Sequence, residues 1–294
     1  MNNKKMTVGF AVLLAVLSCG SLSLAAGGWT SLHQLPKKEA GIQLEQPVSL
    51  AIDAQAKRYY VVDAGSGQLV SFDQDGKFLA AFNAGGQLIH PVAMVKSSTG
   101  SLWVVDRSSN ELYYINPRQK ELQRFSPVYP DGTAVFMSRL AVDDNDRLYV
   151  LDRFKGQVLR LDDNLKIEQS YSGDKDNLTF TDFRIRAGKL WALDTLSRSI
   201  ASFDLSGQRD KIIKVEGLQF PTAFEVDSIG QFYLLDRHAG TVVVYGQAGR
   251  KKFAFLGKGK RAGQLWNGSD LLFDWDNRLC VVDEGSGRVE ILTR

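Results

Sequence analysis

The stretch YVVDAGSGQLVSFD, residues 60–73, is written six times along the chain in altered form. The other copies are WVVDRSSNELYYIN at 103–116, YVLDRFKGQVLRLD at 149–162, WALDTLSRSIASFD at 191–204, YLLDRHAGTVVVYG at 233–246 and CVVDEGSGRVEILT at 280–293. Each joins two short runs of β-branched and aromatic residues through a loop of about four residues, the pattern of a β-hairpin. The aspartates that end the first runs are Asp63, Asp106, Asp152, Asp194, Asp236 and Asp283, spaced 43, 46, 42, 42 and 47 residues apart. A period in the forties built from short strands is that of propeller blades. No segment between the copies sustains a helical period of apolar residues, which argues against a solenoid of helix pairs.

The segments around each hairpin complete a four-stranded blade. An apolar run precedes every copy: VSLAID at 48, VAMVKS at 92, RLAVDD at 139, FRIRAG at 183, TAFEVD at 222 and DLLFDW at 270. Asp, Asn and Gly follow where a tight turn needs them, as in DDNDR at 143, DSIG at 227 and DWDN at 274. A fourth run follows each copy except the last, which stops at Arg294. GWTSLHQL, from Gly28, stands ahead of the first full copy as an orphan strand. Pairing it with the last copy closes the ring and hides both free edges. The expectation is all-β: a six-bladed β-propeller over residues 26–294, its N-terminal strand closing the last blade.

Residues 1–25 read as a bacterial secretory signal peptide: two lysines, an apolar run from Met6 to Leu17, then small residues. Ordinary cleavage fits the SLA ending at Ala25, while AVLSC ending at Cys19 resembles a lipobox and would leave Cys19 as a lipid anchor. Either route predicts an exported protein, periplasmic or secreted, without a transmembrane span. Loss of Lys4 and Lys5 takes the formal net charge from +3 to +1, too little for a nucleic-acid binder. Without Cys19 only Cys280 remains, so no internal disulfide is expected, and no CxxCH attaches a haem.

The cycle P-V-x-apolar-x-apolar-D, then aromatic-V-V-D, then G-Q-L-x-x-F-D-x-D-G-x-F resembles the NHL repeat family of β-propellers. The resemblance covers about residue 29 to 294 and is best where Pro47, Pro91 and Pro221 open the first strand; only Asn110 keeps the family's Asn. It implies a fold shared by binding modules, RNA-binding domains, a zinc-dependent lyase and calcium-dependent lactonases, so function has to be read from the site.

The six aspartates are expected to be structural, each accepting backbone N–H groups where its strand turns into a tight loop. The DDND at 143–146 lacks the Gly and the distal Glu of a calcium loop and is expected to be a hairpin turn. Cys280 takes the place filled by Tyr60, Trp103, Tyr149, Trp191 and Tyr233 in the other copies, which predicts a buried, inert thiol. His33, His90 and His238 fall at three different places in the repeat, so symmetry does not gather them round a metal; no metal site is expected.

First strands of a propeller line its central channel. Aligning them puts Ser49, Ala93, Arg139, Asp182, Ala223 and Asp270 in one column, and Ala51, Val95, Ala141, Arg184, Glu225 and Leu272 in the next. Arg139, Asp182, Arg184, Glu225 and Asp270 are therefore the candidate channel residues. They are either inter-blade ion pairs, Arg139 with Asp182 and Arg184 with Glu225, or the lining of a small-ligand or cation pocket. The resemblance implies that a calcium lactonase would supply Glu, Asp and Asn there; Asn is absent from both columns and two arginines intrude. A second candidate surface is the face bearing the loops after the aspartates, with Arg107, Arg153, Arg198, Arg237, His238, Lys258, Lys260 and Arg261. The sequence favours a non-enzymatic binding or scaffolding module of the bacterial envelope, monomeric, without a cofactor, docking an envelope protein. The alternative is a metal-dependent hydrolase or lactonase with calcium in the channel.

Overall fold

The computed structural model describes residues 28–37, 41–119, 121–173 and 176–294. The expected signal peptide and Cys19 lie outside the described residues.

Among the described residues, twenty-four strands form six antiparallel sheets of four. Blade 1 is β2 (Pro47–Asp53), β3 (Arg58–Asp63), β4 (Gln68–Asp73) and β5 (Phe78–Phe82). Blade 2 is β6 (Pro91–Lys96), β7 (Leu102–Asp106), β8 (Glu111–Asn116) and β9 (Glu121–Phe125). Blade 3 runs from β10 (Met137–Val142) through β11 (Leu148–Asp152) and β12 (Gln157–Leu161) to β13 (Ile167–Tyr171). Blade 4 comprises β14 (Asp182–Arg186), β15 (Lys189–Asp194), β16 (Ser199–Asp204) and β17 (Arg209–Lys214). In blade 5 come β18 (Pro221–Val226), β19 (Phe232–Asp236), β20 (Thr241–Tyr245) and β21 (Lys251–Phe255). Blade 6 holds β22 (Gly268–Phe273), β23 (Leu279–Asp283) and β24 (Arg288–Thr293), and β1 (Thr30–Leu35) supplies its missing outer strand. The ring is therefore closed by the two ends of the chain, as the orphan strand predicts.

The apolar faces of the blades are buried against each other rather than in one central core. Six clusters fill the six gaps; that between blades 5 and 6 joins Tyr233, Val244 and Phe255 to Leu271, Val281 and Leu292. Trp29 seals this seam, its ring stacked 5.5 Å from Phe255 and edge-on 6.0 Å from Tyr233.

Each hairpin after a strand-end aspartate turns through a left-handed residue four positions on: Gly67, Asn110, Gly156, Arg198, Gly240 and Gly287, with φ between 52° and 67°. That conformation suits Gly, then Asn, and costs Arg198 some strain, which is why Gly recurs there. The aspartates hold the connections between blades. Asp106, fully buried, accepts the N–H groups of Ile89 at 2.7 Å, His90 at 2.8 Å and Ser108 at 2.9 Å. Asp63, Asp194, Asp236 and Asp283 do the same for their own linkers, and Asp152 takes the Tyr129 hydroxyl at 2.6 Å in place of linker amides. The turn at 143–146 is a hairpin turn closed by Asp143 and Arg147, with the Asp143 carboxylate accepting from Asn145 N, Arg147 N and Arg147 Nε.

Candidate functional site

The innermost strands have no neighbour on their channel side, so a proline at their start costs no ladder bond. Register fixes the height of every channel residue. Ser49, Ala93, Arg139, Asp182, Ala223 and Asp270 pair with Val62, Val105, Leu151, Leu193, Leu235 and Val282, each one residue before its strand-end aspartate. Arg184 and Glu225 lie one step deeper, opposite Trp191 and Tyr233.

At these two levels the five candidate channel residues meet. Arg184 turns back on Asp182 of its own strand, Nη1 to Oδ1 2.8 Å, and crosses the axis to Asp270, Nη2 to Oδ1 2.8 Å. It also donates to the carbonyls of Phe183 at 2.8 Å and Leu271 at 3.2 Å. The expected neighbours are present at longer range: Arg139 Nε lies 3.5 Å from Asp182, and Arg184 Nε 3.7 Å from Glu225. Glu225 is met instead by Arg186, Nη2 to Oε2 2.6 Å. Asp270 accepts from Ser49 Oγ at 3.0 Å and Leu50 N at 3.2 Å, while Arg139 Nη2 reaches the Ser269 carbonyl at 2.9 Å. The layer thus ties blades 1, 3, 4, 5 and 6 across the axis.

Three guanidiniums, Arg139, Arg184 and Arg186, face three carboxylates, Asp182, Glu225 and Asp270, so the layer is balanced in itself. Burial alone would lower the Arg184 guanidinium, but Asp182, Asp270 and Glu225 outweigh it and hold it above its ordinary value. Full burial pushes the Asp182 carboxyl up, against the pull of Arg184 and Arg139. Chemically this is a poor place for a cation: guanidiniums are permanent donors without acceptor capacity, and they occupy the oxygens a metal would need. Among the described residues no group of three or more His, Cys, Asp or Glu is placed to hold a metal ion.

Two axial cavities flank the layer, and Arg139 lines both. One, of about 260 Å³, is bounded by the deeper halves of the inner strands, with Ala51, Val95, Arg184 and Leu272. The other, of about 460 Å³, opens on the face of the strand-end aspartates, where Arg107, Arg153 and Arg237 stand around it with His90 and Glu284.

The candidate face residues therefore separate into two groups. Arg107, Arg153 and Arg237 come together on the axis; Arg237 is paired with Glu284, Nη2 to Oε2 2.7 Å. Lys258 and Lys260 both lie over the exposed Trp266 ring at 5.3 Å, and Lys258 Nζ donates to the Arg237 carbonyl at 3.0 Å. Arg261 sits on the same connection, its carbonyl held by Arg288 at 2.8 Å. His238 stacks on Phe220 with ring centroids 5.0 Å apart, while the exposed Arg198 takes no part in either group. Cys280 is fully buried and its thiol is pushed well up by that burial. Arg186 escaped the sequence reading, although it lies two residues beyond Arg184 and so on the same side of the strand.

No family model matches the chain, and no curated protein matches it. Among solved structures it is similar to a gluconolactonase from Xanthomonas campestris, with 13% identity over 93% of this chain and 92% of that one and a TM-score of 0.69. A virginiamycin B lyase from Staphylococcus aureus shares 12% identity over 90% of this chain and 99% of that one, TM-score 0.63. An auxiliary nutrient binding protein from Bacteroides thetaiotaomicron shares 12% over 90% of this chain and 76% of that one, TM-score 0.66. Identities this low carry the six-bladed fold and nothing finer, and the fold is common to two enzymes and a binding protein.

Proposed function

We propose that the chain is an exported, NHL-like binding propeller that takes its ligand or partner on the face of the strand-end aspartates and performs no reaction in its channel. One observation supports this most directly: among the described residues every carboxylate of the channel layer is already matched by a guanidinium, which leaves that layer without a free acid or a metal ligand set. Such a layer acts as a fastener that fixes blade register, leaving the surface loops to carry recognition. The export reading rests on the lysine-apolar-small pattern of residues 1–25; the proposed compartment is the cell envelope, and the occupant of the face is a component of that compartment.

A second reading, a hydrolase or lyase working from the axis, draws on the likeness to a lactonase and a lyase and on the two axial cavities. A panel of esters and lactones, assayed with and without calcium or zinc, separates the two. The binding reading expects no turnover above that of a Glu225→Gln variant whose fold is verified by tryptophan fluorescence. Turnover by the unaltered protein that disappears in both Glu225→Gln and Asp182→Asn would overturn it.

A further inference from the structure

The mouth cavity is built, not left over. In five blades the inner strand slips register between its first and third residues, which leaves Val48, Val92, Ser138, Thr222 and Ser269 unpaired. A bulge of this kind re-aims the unpaired side chain. All five line the mouth cavity, and Thr181, just ahead of β14, completes the ring with one residue from each blade. Four of the six are hydroxyls. Three of them make only long hydrogen bonds, Ser138 to the Leu151 carbonyl at 3.3 Å, Thr222 to the Gly268 carbonyl at 3.4 Å and Ser269 to the Pro47 carbonyl at 3.4 Å, which are readily exchanged for a better acceptor. Thr181, by contrast, shares a 2.7 Å hydrogen bond with Thr195.

Above the ring stands the residue that follows each strand-end aspartate. In blades 2 and 3 it is Arg107 and Arg153, whose backbone N–H groups are pinned at 2.9 Å to the carbonyls of His90 and Phe136. Neither guanidinium has a hydrogen bond or ion pair among the described residues; Arg153 only overlies the Phe136 ring at 5.9 Å. Arg237 is neutralised by Glu284 and Arg139 belongs to the balanced layer beneath, so Arg107 and Arg153 are the two uncompensated charges at the mouth. Burial and the repulsion of Arg153 and Arg139 pull the Arg107 guanidinium below its ordinary value, with only Glu284 opposing. Two neighbouring cations that burial and mutual repulsion disfavour make an environment in which a bound anion is stabilised.

We propose that the mouth cavity binds an oxyanion, the carboxylate or phosphate group of a small organic ligand, gripped by Arg107 and Arg153 over the hydroxyl ring. Adjacent guanidiniums match the oxygens of either group bidentately. The volume suits a small ligand, and its apolar body has exposed Ile89 and Phe154 to lie on, which directly flank His90 and Arg153. This deepens the binding reading above and rests on it for the identity of the face, but not for the absence of catalysis.

Isothermal titration of the purified full chain tests it, with inorganic phosphate, acetate and octanoate as probes and Arg107→Gln, Arg153→Gln and the off-axis Arg198→Gln as variants. The expected result is saturable binding of phosphate or of octanoate. Either axial variant weakens it about tenfold or more, and Arg198→Gln leaves it unchanged. Tighter phosphate than octanoate assigns a phosphate ester; the reverse, with acetate weakest, assigns an apolar acid. No binding of any probe, or binding indifferent to both axial substitutions, overturns the proposal. Turnover that depends on Asp182 while binding still depends on Arg107 would overturn the non-enzymatic reading and leave the anion site standing.

Discussion

Replacing Arg184 by Met keeps the length and most of the packing volume of the side chain and removes its charge. Four hydrogen bonds go with it, to Asp182, Phe183 O, Asp270 and Leu271 O at 2.8–3.2 Å. Asp182 and Glu225 are fully buried and Asp270 is 4% exposed, so three carboxylates are left with two guanidiniums. Removing one partner from a buried ionic group costs about 3–5 kcal/mol, a large part of the roughly 5–15 kcal/mol that holds a domain together. At about 2–4 °C per kcal/mol for a chain of this size, the midpoint falls by roughly 6–20 °C. The loss depends on pH. Asp182, whose carboxyl burial already pushes up, loses its strongest opposing cation and is pushed further above its unfolded value of about 3.9, so between the two values the native state binds more protons than the unfolded chain. Stability therefore rises as pH is lowered through that window, and the deficit of Arg184→Met is smaller at acid than at neutral pH. Urea unfolding followed by tryptophan fluorescence measures both, with Trp29, Trp103 and Trp191 reporting from blades 6, 2 and 4. Adding Asp270→Asn to Arg184→Met should recover part of the loss. A deficit below about 1 kcal/mol, or one equal at every pH, would refute the view that the layer is a fastener.

Asp106→Ala leaves the N–H groups of Ile89, His90 and Ser108 without their acceptor and should cost on the order of 3 kcal/mol in urea unfolding, whereas Asp75→Ala, on an exposed turn, should be near neutral. Cys280 should resist a thiol reagent until the protein is unfolded, because its buried thiol stays protonated; labelling at native rates typical of exposed cysteine would contradict its placement. Burial alone would raise the Asp143 carboxyl, but the Arg147 and Asn145 N–H groups and the Arg147 guanidinium outweigh it and hold it below the usual range. Its contribution is therefore present above the unfolded value of about 3.9 and lost as pH falls through the folded one, so Asp143→Asn should flatten the acid side of the stability profile.

The blades were legible in the sequence because they rest on local chemistry: an apolar run, a tight turn, a strand-end aspartate and, in every blade but the fourth, a Gly or Asn four residues on. Closure by Trp29 and β1 followed from counting strands. The channel columns were also legible, since six-fold repetition puts equivalent residues at one height. Their partners were not. The expected matching of Arg139 with Asp182 and Arg184 with Glu225 assumes that charges reach only sideways, whereas a guanidinium near the axis reaches back along its own strand and across to Asp270 just as well. That left Glu225 for Arg186, whose place two residues further on was the available signal. The arginines of the mouth were visible only as scattered basic loop residues. Their convergence depends on which loop positions face the axis, and the signal for it is the residue that follows each aspartate, read as a column.

The channel either serves structure or holds a metal for chemistry. Thermal unfolding after chelation, and again with added calcium or zinc, decides it. With each channel carboxylate already paired to a guanidinium and its second oxygen held by a backbone N–H, the midpoint should be the same in all three conditions. A metal bound at about a hundred times its dissociation constant adds about 2.7 kcal/mol, enough to raise the midpoint by roughly 5–11 °C. A rise of that size, abolished by Asp182→Asn, would contradict the binding-propeller account.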